Sequence, residues 1–204
     1  MTITPPRRES AEDRRAAIAA SARDLLVEKG FEGLRTRDIA ERVGINIATL
    51  HYHVPSKQAL VALMAQSLRD EFIAQDRAHD RRGLTPLEEL RLELADFREN
   101  LTDNPRLLMA LAELAERSRR DPDVREALAP LRARWLFTFR TILEAGRQSG
   151  HFRPDLDPDA AALMVTGALA GFRSFGSGDI AQFDRLALEI ERAVVIPSCK
   201  ENRT

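Results

Sequence analysis

The stretch of sequence that decides the fold is Gly30–Leu60, which reads GFEGLRTRDIAERVGINIATLHYHVPSKQAL. Its first half carries apolar residues at helical spacing, and Gly44 then interrupts the pattern. These apolar residues are Ile39, Ala40 and Val43. A second short segment follows around Leu50. Two short helices joined by a glycine turn predict a helix-turn-helix, in which the second helix enters the major groove of DNA.

The helical pattern continues on both sides of this stretch. Upstream, Ser10 with Asp13 three residues later resembles a capping box, and it predicts a first helix that ends at Gly30. Downstream, Pro55 breaks the chain, and Ser56 is placed to cap a long helix. The apolar face of this long helix comprises Leu60, Leu63, Met64, Leu68 and Phe72, and its end is expected to fray over Asp76–Arg82.

Five further helices are predicted from caps, prolines and helical spacing. They run from Thr85 to Asn104–Pro105, from Leu107 to Arg119, from Asp121–Pro122 to Gly146 and Gly150, from Asp157–Pro158 to Gly176, and from Asp179 to Val194. No β-branched alternation bounded by hairpin turns interrupts them. The fold class is therefore all-α with about nine helices: a helix-turn-helix DNA-binding domain over residues 1–56 and a second helical domain over residues 57–204.

Composition narrows the class of protein. The chain has 204 residues, of which 44% are hydrophobic and 31% charged, so it can bury a core and is neither disordered nor collagen-like. No apolar run approaches the roughly 18 residues of a membrane span. The single cysteine, Cys199, cannot form an internal disulfide, which agrees with a reducing cytoplasm. Residues 1–60 carry a net charge of +2 and the remainder −3, the sign expected for an N-terminal DNA module.

Position by position, the stretch resembles the TetR family of transcriptional regulators. Thr36-Arg37 leads into the first short helix, Gly44-Ile45-Asn46 makes the turn, and Thr49-Leu50 begins the reading helix. His51-Tyr52-His53 with Lys57 completes the family pattern. The chain departs from it at Arg35, where the family usually has Thr or Ser, and at His51, where an aromatic residue is expected.

The resemblance implies two sets of DNA contacts. Side chains suited to base edges are Arg37, Ile47, Ala48, Thr49 and His51. Side chains suited to phosphate oxygens are Thr36, Tyr52, His53 and Lys57. For Tyr52, the alternative is a side chain half in the core.

Other polar residues have simpler interpretations. His51 and His53 do not face each other at a spacing of two on a helix, so no metal site is predicted there. The remaining histidines, His79 and His151, are expected to be isolated surface residues. The N-terminal arginines form either an arm for the minor groove or, as nearby acids favour, a solvated face. They are Arg7, Arg8, Arg14 and Arg15, offset by Glu9, Glu12 and Asp13.

The sequence contains no recognisable set of catalytic residues that would indicate an enzyme. Gly176–Ala181 matches the dinucleotide fingerprint G-x-G-x-x-G/A, but an alanine-rich helix precedes it instead of a strand, so it is interpreted as an interhelix turn. The sequence has no G-x-S-x-G elbow, P-loop or H-E-x-x-H motif. No catalytic residue, metal or cofactor is predicted.

The last two helices are the candidate dimer interface, because their small and apolar residues permit close helix approach and the resemblance implies the same. The interface residues are Met164, Gly167, Ala168, Gly171, Phe172, Phe175, Leu186 and Ile190. The resemblance also implies a pocket for a small effector. Its candidate lining is Phe97, Leu101, Met109, Trp135, Phe139 and Met164, although residues of these types belong to ordinary core more often than to a pocket wall. Arg140 or Arg173 is the candidate anchor for an anionic group.

The functional hypothesis is a homodimeric TetR-like regulator, a repressor that binds a palindromic double-stranded DNA operator and is released by a small, mostly apolar molecule. Two alternatives stay open on the sequence. One is an all-helical enzyme, and the other is a helical dimerisation protein with a vestigial DNA-binding motif. The effector, the operator sequence and the regulated genes cannot be deduced from these residues.

Overall fold

The protein is described from a computed structural model, which places residues 10–175 and 178–196, without the side chain of Phe175. Arg7, Arg8, Glu9, Gly176 and Cys199 lie outside the described residues. Nine helices account for the regular structure of the described part, and the all-α prediction is confirmed. They are α1 Ala11–Gly33, α2 Thr36–Val43, α3 Ile47–His53, α4 Lys57–Ala78, α5 Pro86–Thr102, α6 Pro105–Ser118, α7 Pro122–Gln148, α8 Pro158–Phe175 and α9 Ile180–Val194.

The first helix begins where its cap predicts. Ser10 Oγ accepts from the Asp13 amide at 3.0 Å, and the Asp13 carboxylate accepts from the Ser10 amide at 3.1 Å. The predicted end at Gly30 is wrong in detail. Gly30 adopts φ 68° and kinks the chain, but a last turn continues to Gly33 and brings the buried Phe31 into the core. A positive φ favours glycine, so Gly30 marks a change of direction inside α1.

The turn between α2 and α3 is built by Gly44 and Asn46. Gly44 adopts the left-handed conformation, φ 73°, and its amide donates to the carbonyls of Ala40 and Glu41 in α2. Two residues later, Asn46 Oδ1 accepts from the Thr49 amide at 2.7 Å and caps α3. Ser56 caps α4 in the same way, with Oγ accepting from the Ala59 amide at 3.0 Å.

The later helices keep most of their predicted boundaries. Thr85 and Glu88 form a capping box at the start of α5, and Pro86 occupies its first turn. The prediction that Gly146 helps to end α7 is wrong, because this helix continues to Gln148. A Cβ on Gly146 would lie 2.0 Å from the ring of Phe152, so the glycine admits a fully buried ring against the helix.

The helices form two compact units. Among the described residues, the first comprises 10–72 and 109–128, and the second comprises 73–108, 129–175 and 178–196, so the dividing points fall inside α4, α6 and α7. The domain boundary predicted after residue 56 separates the DNA-binding residues from the rest of the chain, whereas these two units are defined by packing. The predicted boundary therefore stays a prediction.

Each unit has its own buried residues. In the first, Ile18, Leu26, Ile39, Leu50 and Met64 are fully excluded from solvent. In the second, a cluster centred on aromatic and branched side chains joins α5, α7, α8 and α9. Its members include Leu90, Leu94, Phe139, Leu143, Phe152, Val165, Leu169, Phe172, Phe183 and Ile190.

A network of ion pairs in the second unit holds the segment after α4, which the sequence predicts to fray. The Arg81 guanidinium lies 2.5 Å from Asp76 Oδ1, 2.7 Å from Glu93 Oε1 and 3.3 Å from Asp96 Oδ2. Arg134, which lies on α7, also pairs with Asp76. The charged residues around Arg81 therefore fix this segment. No helix of the described residues is long and apolar enough to cross a bilayer.

Candidate nucleic-acid interface

The short helices α2 and α3 bury their apolar side chains and expose their polar ones. Ile39 and Ala40 on α2 and Leu50 on α3 are almost fully excluded from solvent, as their spacing predicts. A short helix with one buried stripe must present its other residues outward. The side chains predicted to touch DNA are drawn from those other residues.

The residues predicted to contact bases lie mainly on the surface. Arg37, Ala48 and His51 are exposed, and Ile47 keeps 44% of its surface accessible despite its apolar side chain. Thr49 is half-buried, and its amide is held by the Asn46 cap. An exposed isoleucine at the start of a reading helix suits a thymine methyl group.

The residues predicted to contact phosphates are also accessible. Tyr52 is 84% exposed, which rules out a place in the core for this ring. The ring of His53 meets it edge to face at a centroid distance of 5.2 Å, and the His53 carbonyl accepts from Arg15 at 3.1 Å. Thr36 is half-buried, and the exposed Lys57 has its ammonium 4.3 Å from the centroid of Phe31.

A groove of about 530 Å³ lies beside these side chains. It brings Thr49, Tyr52 and His53 together with the N-terminal end of α1, which carries Arg14, one of the arginines considered for a minor-groove arm. Its full lining is Ser10, Ala11, Arg14, Gly44, Ile45, Asn46, Thr49, Tyr52 and His53. The contact between Arg15 and the His53 carbonyl joins α1 to α3, and no spacing rule predicts it, because 38 residues separate the two.

Two acidic side chains near α2, Asp38 and Glu28, are paired with neighbouring cations. Asp38 pairs with Lys29 at 2.5 Å, and Glu28 holds Arg42 in a bidentate pair at 3.0 and 2.7 Å. The hydrogen bond from Lys29 lowers the pKa of the Asp38 carboxyl below its usual value. Such pairing limits the repulsion that these carboxylates would exert on a phosphate backbone.

The predicted effector residues form part of an aromatic cluster in the second unit. Phe97 stacks on Trp135 at 6.3 Å, and Trp135 meets the buried Phe139 at 6.2 Å. Phe183, which was not among the predicted lining residues, lies 5.5 Å from Phe97. Leu101 packs against the same cluster.

Two predicted effector residues lie outside this aromatic group. Met164 is exposed on α8, and Met109 belongs to the first unit, where it is also exposed. Of the candidate anchors, Arg140 pairs with Asp159 at 2.7 Å. Arg173 Nε is buried without a hydrogen-bond partner among the described residues.

The predicted dimer residues divide into a buried set and an accessible set. Phe172 and Ile190 are buried inside the chain itself, and Leu186 packs against the same core. Accessible apolar surface lies on α8, where Leu163 is 64% and Met164 43% exposed. Gly167, Ala168 and Gly171 are exposed or half-exposed on this helix, and the side chain of Phe175 is outside the described part.

A cluster with metal-ligand chemistry occurs at His79, which is not isolated as predicted. His79 Nδ1 lies 3.0 Å from Asp96 Oδ1, and the ligand atoms of His79, Asp96 and Glu99 lie within 4.8 Å of one another. Burial raises the pKa of the Asp96 carboxyl, while the charges of His79 and Arg81 oppose that shift. Because Arg81 already supplies a cation here, we treat the cluster as structural. His151 is exposed and contacts the Ser149 hydroxyl at 2.9 Å.

Comparisons with known proteins agree with this geometry. The pattern of the bacterial regulatory proteins of the tetR family matches residues 18–64, and the tetracyclin repressor-like C-terminal domain matches residues 108–175. The class C tetracycline repressor protein of Escherichia coli is 38% identical over 55 residues, which are 27% of this chain and 25% of the repressor. The sequence match thus spans about a quarter of that relative.

Solved structures extend the similarity of fold along most of the chain. A TetR-family regulator from Rhodococcus sp. superposes with a TM-score of 0.80 at 21% identity, covering 89% of this chain and 98% of that one. The transcriptional regulator FadR of Bacillus subtilis, solved in complex with stearoyl-CoA, gives a TM-score of 0.75 at 19% identity over 85% and 96% of the two chains. At these identities, the similarity establishes the fold alone.

Proposed function

Because the chain belongs to the TetR family of bacterial regulatory proteins, we propose that it is a repressor that binds a palindromic operator as a homodimer and is released by a small, mostly apolar molecule. The family consists of transcriptional regulators with a helix-turn-helix DNA-binding domain, not of enzymes. Membership of this family is established for the chain. We propose in addition its role as a repressor, its binding to an operator, its dimerisation and its release by an effector.

One observation carries the proposed DNA contact: the polar face of α2 and α3 is exposed, while their apolar face is buried. The Tyr52 side chain illustrates it, because an aromatic ring that is 84% exposed gains nothing from core packing. In a helix-turn-helix, the first helix crosses the DNA backbone and the second reads the major groove. Arg37, Ile47, Ala48, Thr49 and His51 are therefore assigned to bases, and Thr36, Tyr52, His53 and Lys57 to phosphates.

The proposed dimer follows from the small number of base pairs that one helix-turn-helix can contact. A single recognition helix reads few base pairs, so proteins of this type pair across a palindromic site. The exposed Leu163 and Met164 on α8 supply accessible apolar surface, and Gly167 would allow a second helix to approach closely. We assign the interface to α8 and α9.

The proposed effector site lies in the second unit, around Phe97, Trp135 and Phe139. These rings form an apolar cluster, and in the same unit Arg173 Nε is a buried donor without a hydrogen-bond partner among the described residues. A regulator of the same fold, FadR, was solved with stearoyl-CoA, a molecule that combines an acyl chain with anionic groups. An apolar cluster and a buried guanidinium donor in the same unit support the proposal of an effector that is mostly apolar and carries an anionic group.

The decisive experiment selects DNA fragments from a random pool with the purified full-length protein. Enrichment of an inverted repeat, with a shifted complex of two chains per duplex, is the expected result. Enrichment of no sequence, together with no shift of a mixed duplex at low salt, would instead favour a helical dimerisation protein whose DNA-binding motif is vestigial. A compound screen against the enriched duplex then tests release.

A further inference from the structure

Two of the helix starts in this chain carry complete capping boxes, and α2 does not. Ser10 with Asp13 and Thr85 with Glu88 each satisfy two backbone amides through side chains. At α2 the corresponding positions hold Arg35 and Asp38, so the acid is present and the hydroxyl is missing. Arg35 sits in the N-cap position, with φ −114° and ψ 136°, and makes no side-chain cap hydrogen bond.

The missing cap has a cost in stability. Replacing a serine or threonine N-cap by a residue without an acceptor typically destabilises a protein by about 0.5–2 kcal/mol. The backbone of Arg35 is extended, as at the other caps, so the local conformation would accept a threonine. A residue that sacrifices stability without local strain to explain it points to a role outside folding.

The Arg35 guanidinium makes no direct bond within the described residues, although, after the hydrogen bond from Lys29, its charge helps to lower the pKa of the Asp38 carboxyl. Arg35 is exposed, and no hydrogen bond or ion pair joins it to any residue within 10–175 and 178–196. The nearest acid in sequence, Asp38, is held by Lys29 at 2.5 Å. Arg42 pairs with Glu28, and Arg15 donates to the His53 carbonyl, whereas Arg37, already assigned to a base, makes no hydrogen bond or ion pair within the described residues either.

We propose that Arg35 contacts a phosphate of the DNA backbone and that this contact replaces the cap of α2. The inference rests on the proposed DNA-binding function and adds a residue to it. Arg35 adjoins Thr36, which is assigned to a phosphate, and it precedes the helix that crosses the backbone instead of lying on the reading helix. A guanidinium is suited to a phosphate because it can donate two parallel hydrogen bonds.

The test uses three substitutions in the full-length protein. Arg35→Lys keeps the charge, Arg35→Gln removes it without supplying a good cap, and Arg35→Thr removes it and completes the capping box. Arg132→Gln, on the exposed side of α7 in the second unit, controls for the loss of one positive charge elsewhere. Binding to a mixed-sequence duplex is measured over a salt series, and thermal unfolding is measured without DNA.

Arg35→Thr is expected to raise the midpoint of thermal unfolding by about 2–4 °C and to weaken DNA binding. It and Arg35→Gln should each flatten the slope of log affinity against log salt by about 0.9 for each phosphate that is no longer neutralised. Arg35→Lys and Arg132→Gln should keep the wild-type slope. Arg35→Gln should bring no gain in thermal stability, which separates the effect of the phosphate interaction from that of the restored cap.

The outcomes that overturn the proposal are distinct from failure of the wider function. If the wild-type protein binds DNA and Arg35→Thr and Arg35→Gln keep its slope, Arg35 makes no phosphate contact. If Arg35→Thr fails to raise the unfolding midpoint, the start of α2 is not missing a cap. The proposal that a phosphate contact replaces this cap is then refuted. Wild-type protein that binds no duplex at low salt would remove the proposed DNA-binding function itself.

Discussion

Arg37 and Tyr52 are the two side chains whose proposed DNA contacts differ most in chemistry. An arginine can donate two hydrogen bonds to guanine and so read a base, whereas a tyrosine hydroxyl can donate one to any phosphate. Both side chains are exposed, and neither makes a hydrogen bond to a described residue. Their substitution should leave the stability of the free protein almost unchanged.

We predict that Arg37→Ala weakens binding to the selected operator by about 1–3 kcal/mol and relaxes base preference at one position per half-site. Tyr52→Phe is the matched comparison: it should weaken all sequences equally and leave the consensus intact. Repeating the DNA selection with each variant measures this. An unchanged consensus for Arg37→Ala would remove this residue from base reading.

At the level of single residues, the sequence predicts the chemical role of a side chain better than it predicts which residues that side chain contacts. The exposure of Tyr52 and Arg37 agrees with the roles that the residue types suggest. The contact of His79 with Asp96 could not be predicted, because it joins the segment after α4 to the middle of α5 and no helical spacing relates the two residues. The hydrogen bond from Arg15 to the His53 carbonyl escapes prediction for the same reason.

Among the helices, Gly146 shows most clearly how packing decides what a glycine does. It lies inside α7, and the fully buried Phe152 ring occupies the space that a Cβ would need, 2.0 Å from the ring. Contacts that short force the ring or the backbone to move, and overpacking of this kind typically costs about 1–3 kcal/mol.

We predict that Gly146→Ala destabilises the protein by about that amount, although alanine is the better helix former. Chemical unfolding of the single and double variants measures it. In a Phe152→Ala background, the substitution should cost much less, because the ring that it would strike is gone. Equal costs in the two backgrounds would show that the destabilisation has another source.

The helix boundaries that sequence predicts well are those with a local chemical signal. The capping boxes at Ser10 and Thr85, and the prolines at the starts of α5 to α8, act within one turn of the chain. Gly30 and Gly146 both carry the sequence signal of a helix end. One is a kink and the other a packing site, and the difference depends on residues that fold back from elsewhere, which periodicity does not contain.

Across the whole molecule, the proposed dimer can be tested at Gly171. This residue is half-exposed on α8, and a Cβ placed on it meets nothing within 4 Å in the single chain. A larger side chain there is therefore compatible with the fold of one subunit. Any strong effect of substitution must arise from a partner.

We predict that Gly171→Glu is folded and monomeric at low micromolar concentration, because dimerisation would bury an unpaired charge. Ala74→Glu, at an exposed position of α4, should remain dimeric. Sedimentation measures the mass, and circular dichroism shows that the fold is kept. A Gly171→Glu protein that stays dimeric would move the interface away from this part of α8.

Induction requires coupling between the two sites, and α4 is the element through which we expect it. Its first residue, Lys57, is a proposed phosphate contact in the first unit, and its last turn belongs to the second unit, where the proposed effector site lies. An effector weakens operator binding only if it prefers the conformation that does not bind DNA. A typical coupling of about 1–3 kcal/mol corresponds to roughly 5–150-fold, and linkage makes it reciprocal.

We therefore predict that saturating operator DNA weakens effector binding by the same factor as the effector weakens operator binding. A ligand found by thermal-shift screening is titrated into the protein with and without operator DNA. The control is the Arg37→Ala variant, titrated at a DNA concentration at which this variant does not bind the operator. In the control, DNA should leave the affinity for the ligand unchanged. If the wild-type protein also shows equal ligand affinity in both titrations, the sites are uncoupled. The protein would then bind its operator constitutively, because reciprocity leaves a ligand with no effect on DNA binding when DNA has none on the ligand.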